Sequence, residues 1–279
     1  MEQLKAMMIY SKLKQYVMSN NDRLVYGHPI EVLGQTSGQV FILNRCSGSK
    51  PVSNNFRTNI RQCHRCFTRF EVTDDGRPVW QEKCYHHRGS GNTGPGEVYT
   101  CCHQPYGYPA CRVGPSHVVD GHGHSFWKNG YFVLPQPTGS GADRQVYALD
   151  CEMVSTTIGY ELARITVVNV DLDIVFDQIV KPSNLILDYN TQFSGITETD
   201  MISATWTLDD VHKHMSTMMT NTIIVGHALN HDLKTLKLKH DLVIDTAQLF
   251  PHRKGLPFRT SLKYLAKRHL GLVIQGQFE

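Results

Sequence analysis

The chain has 279 residues, with 28 Lys or Arg against 25 Asp or Glu and a formal charge of +3. A chain of that length usually holds two domains, each large enough for its own core. No apolar run approaches the roughly 20 residues that span a membrane, and Met1-Glu-Gln-Leu-Lys-Ala-Met-Met8 lacks the charged-then-apolar layout of a signal peptide. The expectation is a soluble protein of a reducing compartment with no membrane partner, so its eight cysteines need a reason other than disulfides.

The first predicted element is a helix over Leu4 to Met18. Its apolar stripe of Leu4, Met7, Met8, Tyr10, Leu13, Tyr16 and Val17 reads as a packed face rather than a nucleic-acid arm. Residues 47–55 are polar with Gly and Pro, a loop that closes an N-terminal segment of residues 1–60.

Residues 61–134 form a Cys/His-rich module. Cys63-His-Arg-Cys66 is a C-x₂-C pair and Cys84-Tyr-His-His87 a C-x₂-H pair. Two close ligand pairs joined by a longer loop suit tetrahedral Zn²⁺, because each pair presents two ligands from one turn. The expected structural zinc set is Cys63, Cys66, Cys84 and His87, with His86 the competing choice for the last place. Cys102, Cys111 and His117 follow, with Cys101 beside them. They build a second site or complete the first, with His122 or His124 as a further ligand. The bland alternative is buried thiols among surface histidines. A catalytic zinc needs an open fourth position and a nearby acid, and a thioredoxin-like role needs a βαβ context that the flanks lack.

Pro135-Gln-Pro-Thr-Gly-Ser-Gly-Ala-Asp143 is a linker, and a domain boundary is expected there. Charge divides in the same place. Residues 1–140 carry 15 basic and 9 acidic side chains, and residues 141–279 carry 13 and 16. The basic residues between Lys234 and Arg268 suit a phosphate partner or a solvated surface equally well.

Beyond the linker, Val146-Tyr-Ala-Leu-Asp-Cys-Glu-Met-Val154 reads as a strand buried on both faces and carrying Asp150 and Glu152. Alternation along a strand puts the two carboxylates on one side. There they repel and raise each other's pKa unless a cation lies between them. The pair is therefore a candidate platform for Mg²⁺ or Mn²⁺. Glu161–Asn169 and Asp173–Val180 are two further strands. Thr197 caps a helix with Asp200 three residues on, and a second helix runs from Thr207 to Met219. A short strand then reaches the Gly226 corner and a helix carrying Asp232. Leu242–Thr246 is a strand ending in Asp245, and a last helix runs from Thr260 to about His269. This alternation of α and β predicts a mixed sheet flanked by helices.

Tyr147–Val154, Phe193-Ser-Gly-Ile-Thr197, Gly226-His-Ala-Leu-Asn-His-Asp-Leu233 and Asp245–His252 resemble the RNA exonuclease 1 (GOR-antigen-like) branch of the DEDD exonucleases. The resemblance spans roughly Arg144 to Gln275. It implies a ribonuclease-H-like α/β fold over residues 144–279 and removal of nucleotides from the 3′ end of single-stranded RNA with two metal ions. It also implies a nuclear location. Carried over by motif, Asp150, Glu152 and Asp232 are the first three catalytic, metal-binding acids. The branch also carries a Cys/His-rich module ahead of the nuclease, which supports His87 and the later Cys102, Cys111 and His117.

The family's last motif, in which a histidine shortly precedes a fourth metal-binding aspartate, has no counterpart here. No aspartate follows Asp245, and the last histidine is His269. Asp245 is expected to be structural and His269 not to serve as the base. The resemblance thus predicts a fragment, shortened isoform or decayed copy, weak or inactive as it stands. The alternative is a non-catalytic module that binds nucleic acid or protein.

Overall fold

Residues 2–31, 37–43, 58–89, 98–121, 127–134 and 144–275 are described by the computed structural model. The expected loop over residues 47–55, the linker 135–143, His122 and His124 lie outside them. The chain opens with α1 (Glu2–Leu13) and α2 (Asn20–Val25). Eight short strands follow: β1 (Ile30–Glu31), β2 (Val40–Phe41), β3 (Ile60–Gln62), β4 (Arg69–Glu71), β5 (Cys84–His86), β6 (Arg112–Gly114), β7 (Trp127–Lys128) and β8 (Phe132–Val133). Next come β9 (Val146–Thr156), β10 (Gly159–Val168), β11 (Ile174–Ile179) and β12 (Ile186–Asp188). The chain continues through α3 (Thr191–Ser194), α4 (Glu198–Ser203), α5 (Leu208–Met218), β13 (Ile223–Gly226) and α6 (Asn230–Thr235). It then forms β14 (Leu238–Lys239), β15 (Val243–Asp245), α7 (Thr246–Leu249) and α8 (Leu262–Leu265).

The main sheet has the order β11-β10-β9-β13-β15, with β12 paired to the far end of β9. β9, β10 and β11 form an antiparallel meander, while β13 lies parallel to both β9 and β15. Short turns can join antiparallel neighbours, whereas the parallel step from β9 to β13 needs a crossover, which α3, α4 and α5 supply. The result is the mixed, ribonuclease-H-like sheet flanked by helices.

Helix starts follow their sequence signals. Thr197 and Thr207 each form a capping box, with Asp200 and Asp210. The stripe on α5 buries Val211 and Met215 against Leu149, Ile165 and Leu233. The last helix is capped by Ser261 rather than Thr260, and after Leu265 it widens into a π-helical turn over Ala266–Leu270.

The N-terminal segment is a layer of this sheet. Tyr10 of α1 packs with Val146, Ile223 and Ile244, with Ile9, Leu13 and Val17 against them, whereas Met7, Met8 and Tyr16 of the expected stripe are exposed. Met18 donates its N–H to Val243 O at 2.8 Å, and Arg23 Nη1 donates to His240 O at 2.9 Å. On the other side β8 pairs in parallel with β14.

Candidate metal centres

Asp150 and Glu152 stand on β9 opposite Thr166 and Arg164 of β10. Arg164 commits its guanidinium to Asp177, with Nε to Oδ1 at 2.8 Å and Nη2 to Oδ2 at 2.6 Å. Glu152 therefore has only a shared cation beside it. Asp232, buried on α6, accepts the Cys151 N–H on Oδ1 at 3.0 Å. Cys151 lies between the first two acids, so this bond ties the third to the same stretch of strand.

Electrostatics show the strain of that arrangement. Burial, then the Asp150 charge, pushes Asp232 up to about 7. The same two causes push Glu152 up to about 7, and burial raises Asp150. A cation between the carboxylates would reverse the repulsion. The all-oxygen donor set suits a hard ion such as Mg²⁺ or Mn²⁺.

The corner before α6 is held by the buried Asp245. Gly226 is required there, since a Cβ would lie 2.5 Å from Leu229 Cδ2. Ala228 adopts φ 57°, a left-handed conformation costly for a residue with a Cβ. Asp245 Oδ1 compensates by accepting the Ala228 N–H at 2.8 Å and the Ala247 N–H at 2.9 Å. Its Oδ2 lies 3.2 Å from Nε2 of the buried His28. Burial alone would raise the Asp245 pKa, but the His28 hydrogen bond and the two N–H groups hold it below the usual range. His227 sits at the same corner, with Nδ1 2.9 Å from Thr246 Oγ1. His269 is exposed, its ring 4.9 Å from that of Phe250.

Two sulfur-rich groups lie in the Cys/His module: Cys63, Cys66, Cys84 and His117, and separately His87, Cys101, Cys102 and Cys111. Within each group the ligand atoms all come within 4.8 Å of one another. Among the described residues these two are the groups that meet that separation, and the three acids form a looser set. The expected grouping is corrected here: His87 does not join Cys63, Cys66 and Cys84, and His117 does not join Cys102 and Cys111. Cys84 opens β5, and a residue three places along a strand faces the opposite side. Cys84 thus goes to one group from the start of β5, and His87, just past its end, to the other. Cys101, noted in the sequence only as a neighbour, supplies the fourth place in the second group.

Each histidine is oriented as a ligand would be. His117 Nδ1 is 3.3 Å from Cys66 Sγ, while Nε2 faces Glu82 Oε2 at 3.7 Å. His87 Nε2 is 2.9 Å from Tyr108 O, an acceptor that requires the proton on Nε2 and leaves the Nδ1 lone pair toward Cys102 Sγ at 3.6 Å. Cys63 and Cys84 sulfurs lie 3.7 Å apart. Their shared hydrogen bond holds Cys63 down to about 3 and Cys84 well above the usual thiol range.

The first group is fastened to the nuclease sheet by Arg65, which lies inside the Cys63–Cys66 turn. Arg65 Nη1 meets Asp188 Oδ2 at 2.5 Å, and Nη2 donates to Ser155 Oγ at 3.3 Å and to Asn190 Oδ1. Gly114 makes room, because a Cβ there would lie 2.8 Å from Arg65 Nη1. His64 Nε2 adds a contact to the Tyr160 hydroxyl at 2.9 Å.

Residues 147–275 match the family model described as exonuclease. The chain is 38% identical over 287 residues to RNA exonuclease 1 homolog of Homo sapiens, covering 100% of this chain and 23% of that protein. It is 39% identical over 274 residues to Exonuclease GOR of Pan troglodytes, covering 96% of this chain and 39% of that one. It therefore spans less than half the length of either relative. Among solved structures, the Pan2 catalytic unit of Neurospora crassa aligns with TM-score 0.44 and 25% identity, over 53% of this chain and 26% of that one. By its sequence the chain belongs to the exonuclease family of RNA exonuclease 1 and the GOR proteins.

Proposed function

We propose that this chain carries the catalytic portion of a divalent-cation-dependent hydrolase that removes nucleotides from the 3′ end of single-stranded RNA in the nucleus. The observation that carries the reading is the Asp232 bond to the Cys151 N–H, which gathers a buried third acid to the more exposed Asp150 and Glu152. Asp150, Glu152 and Asp232 would hold Mg²⁺ or Mn²⁺. Two such cations, when bound, supply charge stabilisation to the attacking and leaving oxygens of an in-line phosphoryl displacement. The chain's own residues orient the acids: Cys151 N–H holds Asp232, Arg164 faces Glu152, and Asp245 fixes the corner that starts α6. The name of the relative RNA exonuclease 1 homolog supports RNA as the substrate.

The two Cys/His groups hold structural Zn²⁺. Each offers three thiols and one imidazole, soft donors that suit zinc. Strands of three residues, paired two by two, bury too little to order the module alone. With three carboxylates supplied by residues 144–275, hydrolysis by this chain is weak. The looseness of the acid trio favours a second reading, a binding module without turnover.

The test is a 5′-labelled single-stranded RNA incubated with the zinc-loaded chain and Mn²⁺. A slow ladder shortening from the 3′ end, absent in Asp150→Asn and with a blocked 3′ end, is expected. Internal cuts, or shortening that Asp150→Asn leaves untouched, would contradict it. RNA bound but never shortened would favour the binding module.

A further inference from the structure

A half-enclosed cavity of about 260 Å³ lies between the N-terminal strands and the nuclease sheet. Four lysines reach it from separate places: Lys128 on β7, Lys181 after β11, Lys234 on α6 and Lys237 just past α6. Two carboxylates, Asp120 and Glu161, share the lining, so the cations hold an excess of two. Glu161 Oε1 is already engaged by the Ser183 N–H at 3.1 Å. Gathering like charges in a partly closed space costs Coulomb energy that spreading them over open surface would avoid. A polyanion that enters the space removes that cost.

The rest of the lining fits the same ligand. Met153 and Leu162 are cross-strand partners on the cavity wall, and Tyr131 and Tyr160 add ring surface. Such apolar and aromatic walls suit a nucleobase while lysines take its phosphate. The volume lies just below the roughly 300–1,000 Å³ typical of ligand pockets, room for no more than about one nucleotide. Met153 follows Glu152 on β9, and successive side chains of a strand point to opposite faces, so the cavity is a site apart from the acids.

We propose that the cavity is a subsite for single-stranded RNA, binding the backbone phosphate and base of one nucleotide apart from the acids. The choice of RNA as the polyanion rests on the proposed function, but binding at the cavity does not require hydrolysis. The N-terminal strands, through Lys128 and Tyr131, thereby form one wall of the RNA path rather than a separate appendage.

The experiment uses the zinc-loaded full chain carrying Asp150→Asn, so that no probe is consumed, and a fluorescein-labelled single-stranded RNA read by anisotropy over a salt series. The triple variant Lys128→Gln, Lys181→Gln, Lys237→Asn should bind about tenfold more weakly at moderate salt. Its plot of log K against log salt should be shallower by about 0.7 for each phosphate that the variant no longer neutralises. The arginine version of the same three positions should restore both, with an unchanged melting temperature in each. A control triple variant at Lys254, Lys263 and Lys267 should keep the parent's affinity to within about twofold. Equal affinity and slope in parent and cavity variant would overturn the proposal. So would poly-glutamate competing as well as unlabelled RNA at equal charge, which would mark a surface for acidic peptide. Failure of the hydrolase reading registers separately, as absence of 3′ shortening by the chain with Asp150 intact.

Discussion

Cys151 donates its backbone N–H to Asp232 Oδ1 at 3.0 Å, which fixes the third acid to the strand position between Asp150 and Glu152. An amide oxygen can accept the same bond, so Asp232→Asn should keep the geometry while removing a buried charge. At pH 8 without divalent cations, the variant should melt no lower than the parent, and higher if the repulsion is as large as the shifted acids imply. A marked loss of stability would show that Asp232 is held by a cationic partner instead.

Stability of the cation-free protein should fall as pH rises from about 5 to 8. Asp232 and Glu152 titrate near 7 when folded, against 3.8 and 4.5 in their ordinary state. Over that window the folded chain holds more protons than the unfolded one. Their contribution is thus full below the ordinary carboxylate range and lost as pH passes through 7. For Asp232 the loss between pH 5 and 8 is on the order of 3 kcal/mol, and less for the half-buried Glu152. Denaturant unfolding at pH 5 and 8 should show the slope in the parent and a much smaller one in Asp232→Asn. A parent whose stability rises across this window would contradict the assignment.

Zinc content distinguishes the grouping in space from the grouping expected by spacing. Two zinc ions per chain are predicted by elemental analysis. Cys66→Ser and His87→Ala should each lose one, and the double variant both. If Cys84→Ser and His87→Ala together lost a single ion, the two residues would share one site after all.

Arg65 should matter beyond its own module. Arg65→Ala leaves Asp188, which is largely buried, without its cation, a loss of about 3 kcal/mol for a pair removed from one side. Gly114→Ala should act in the same direction by crowding Nη1. Hydrogen exchange should quicken at Ser155–Gly159 in Arg65→Ala. Protection there equal to the parent's would mean that the module merely rests on the sheet.

Much of the nuclease half is legible in its sequence because its signals are local. Period-two alternation gives Asp150 and Glu152 a common face, and Thr197 with Asp200 starts α4 as a capping box should. The N-terminal segment is different. His28 meets Asp245 across 217 residues, and nothing in the run around His28 announces a partner so distant. The zinc ligands fall between these cases. Residue types and pair spacing point to the metal, but a C-x₂-H pair reads as one turn only until a strand passes through it. β5 runs from Cys84 to His86, and the extended chain carries Cys84 and His87 to separate groups. Asp232 needed the family resemblance, since a lone aspartate early in a short helix carries no local mark of its neighbours.

The most direct measurement is Mn²⁺ binding to the zinc-loaded chain, followed by the loss of free-ion electron paramagnetic resonance signal. Saturable binding is expected in the parent, weakening at least about tenfold in Asp150→Asn and in Asp232→Asn, because each variant removes a charged oxygen donor. Arg164→Gln, which removes the cation beside Glu152 together with its pairing to Asp177, should bind at least as tightly as the parent. Equal stoichiometry and affinity in the parent and both acid variants would contradict the claim that these carboxylates form a divalent-cation site.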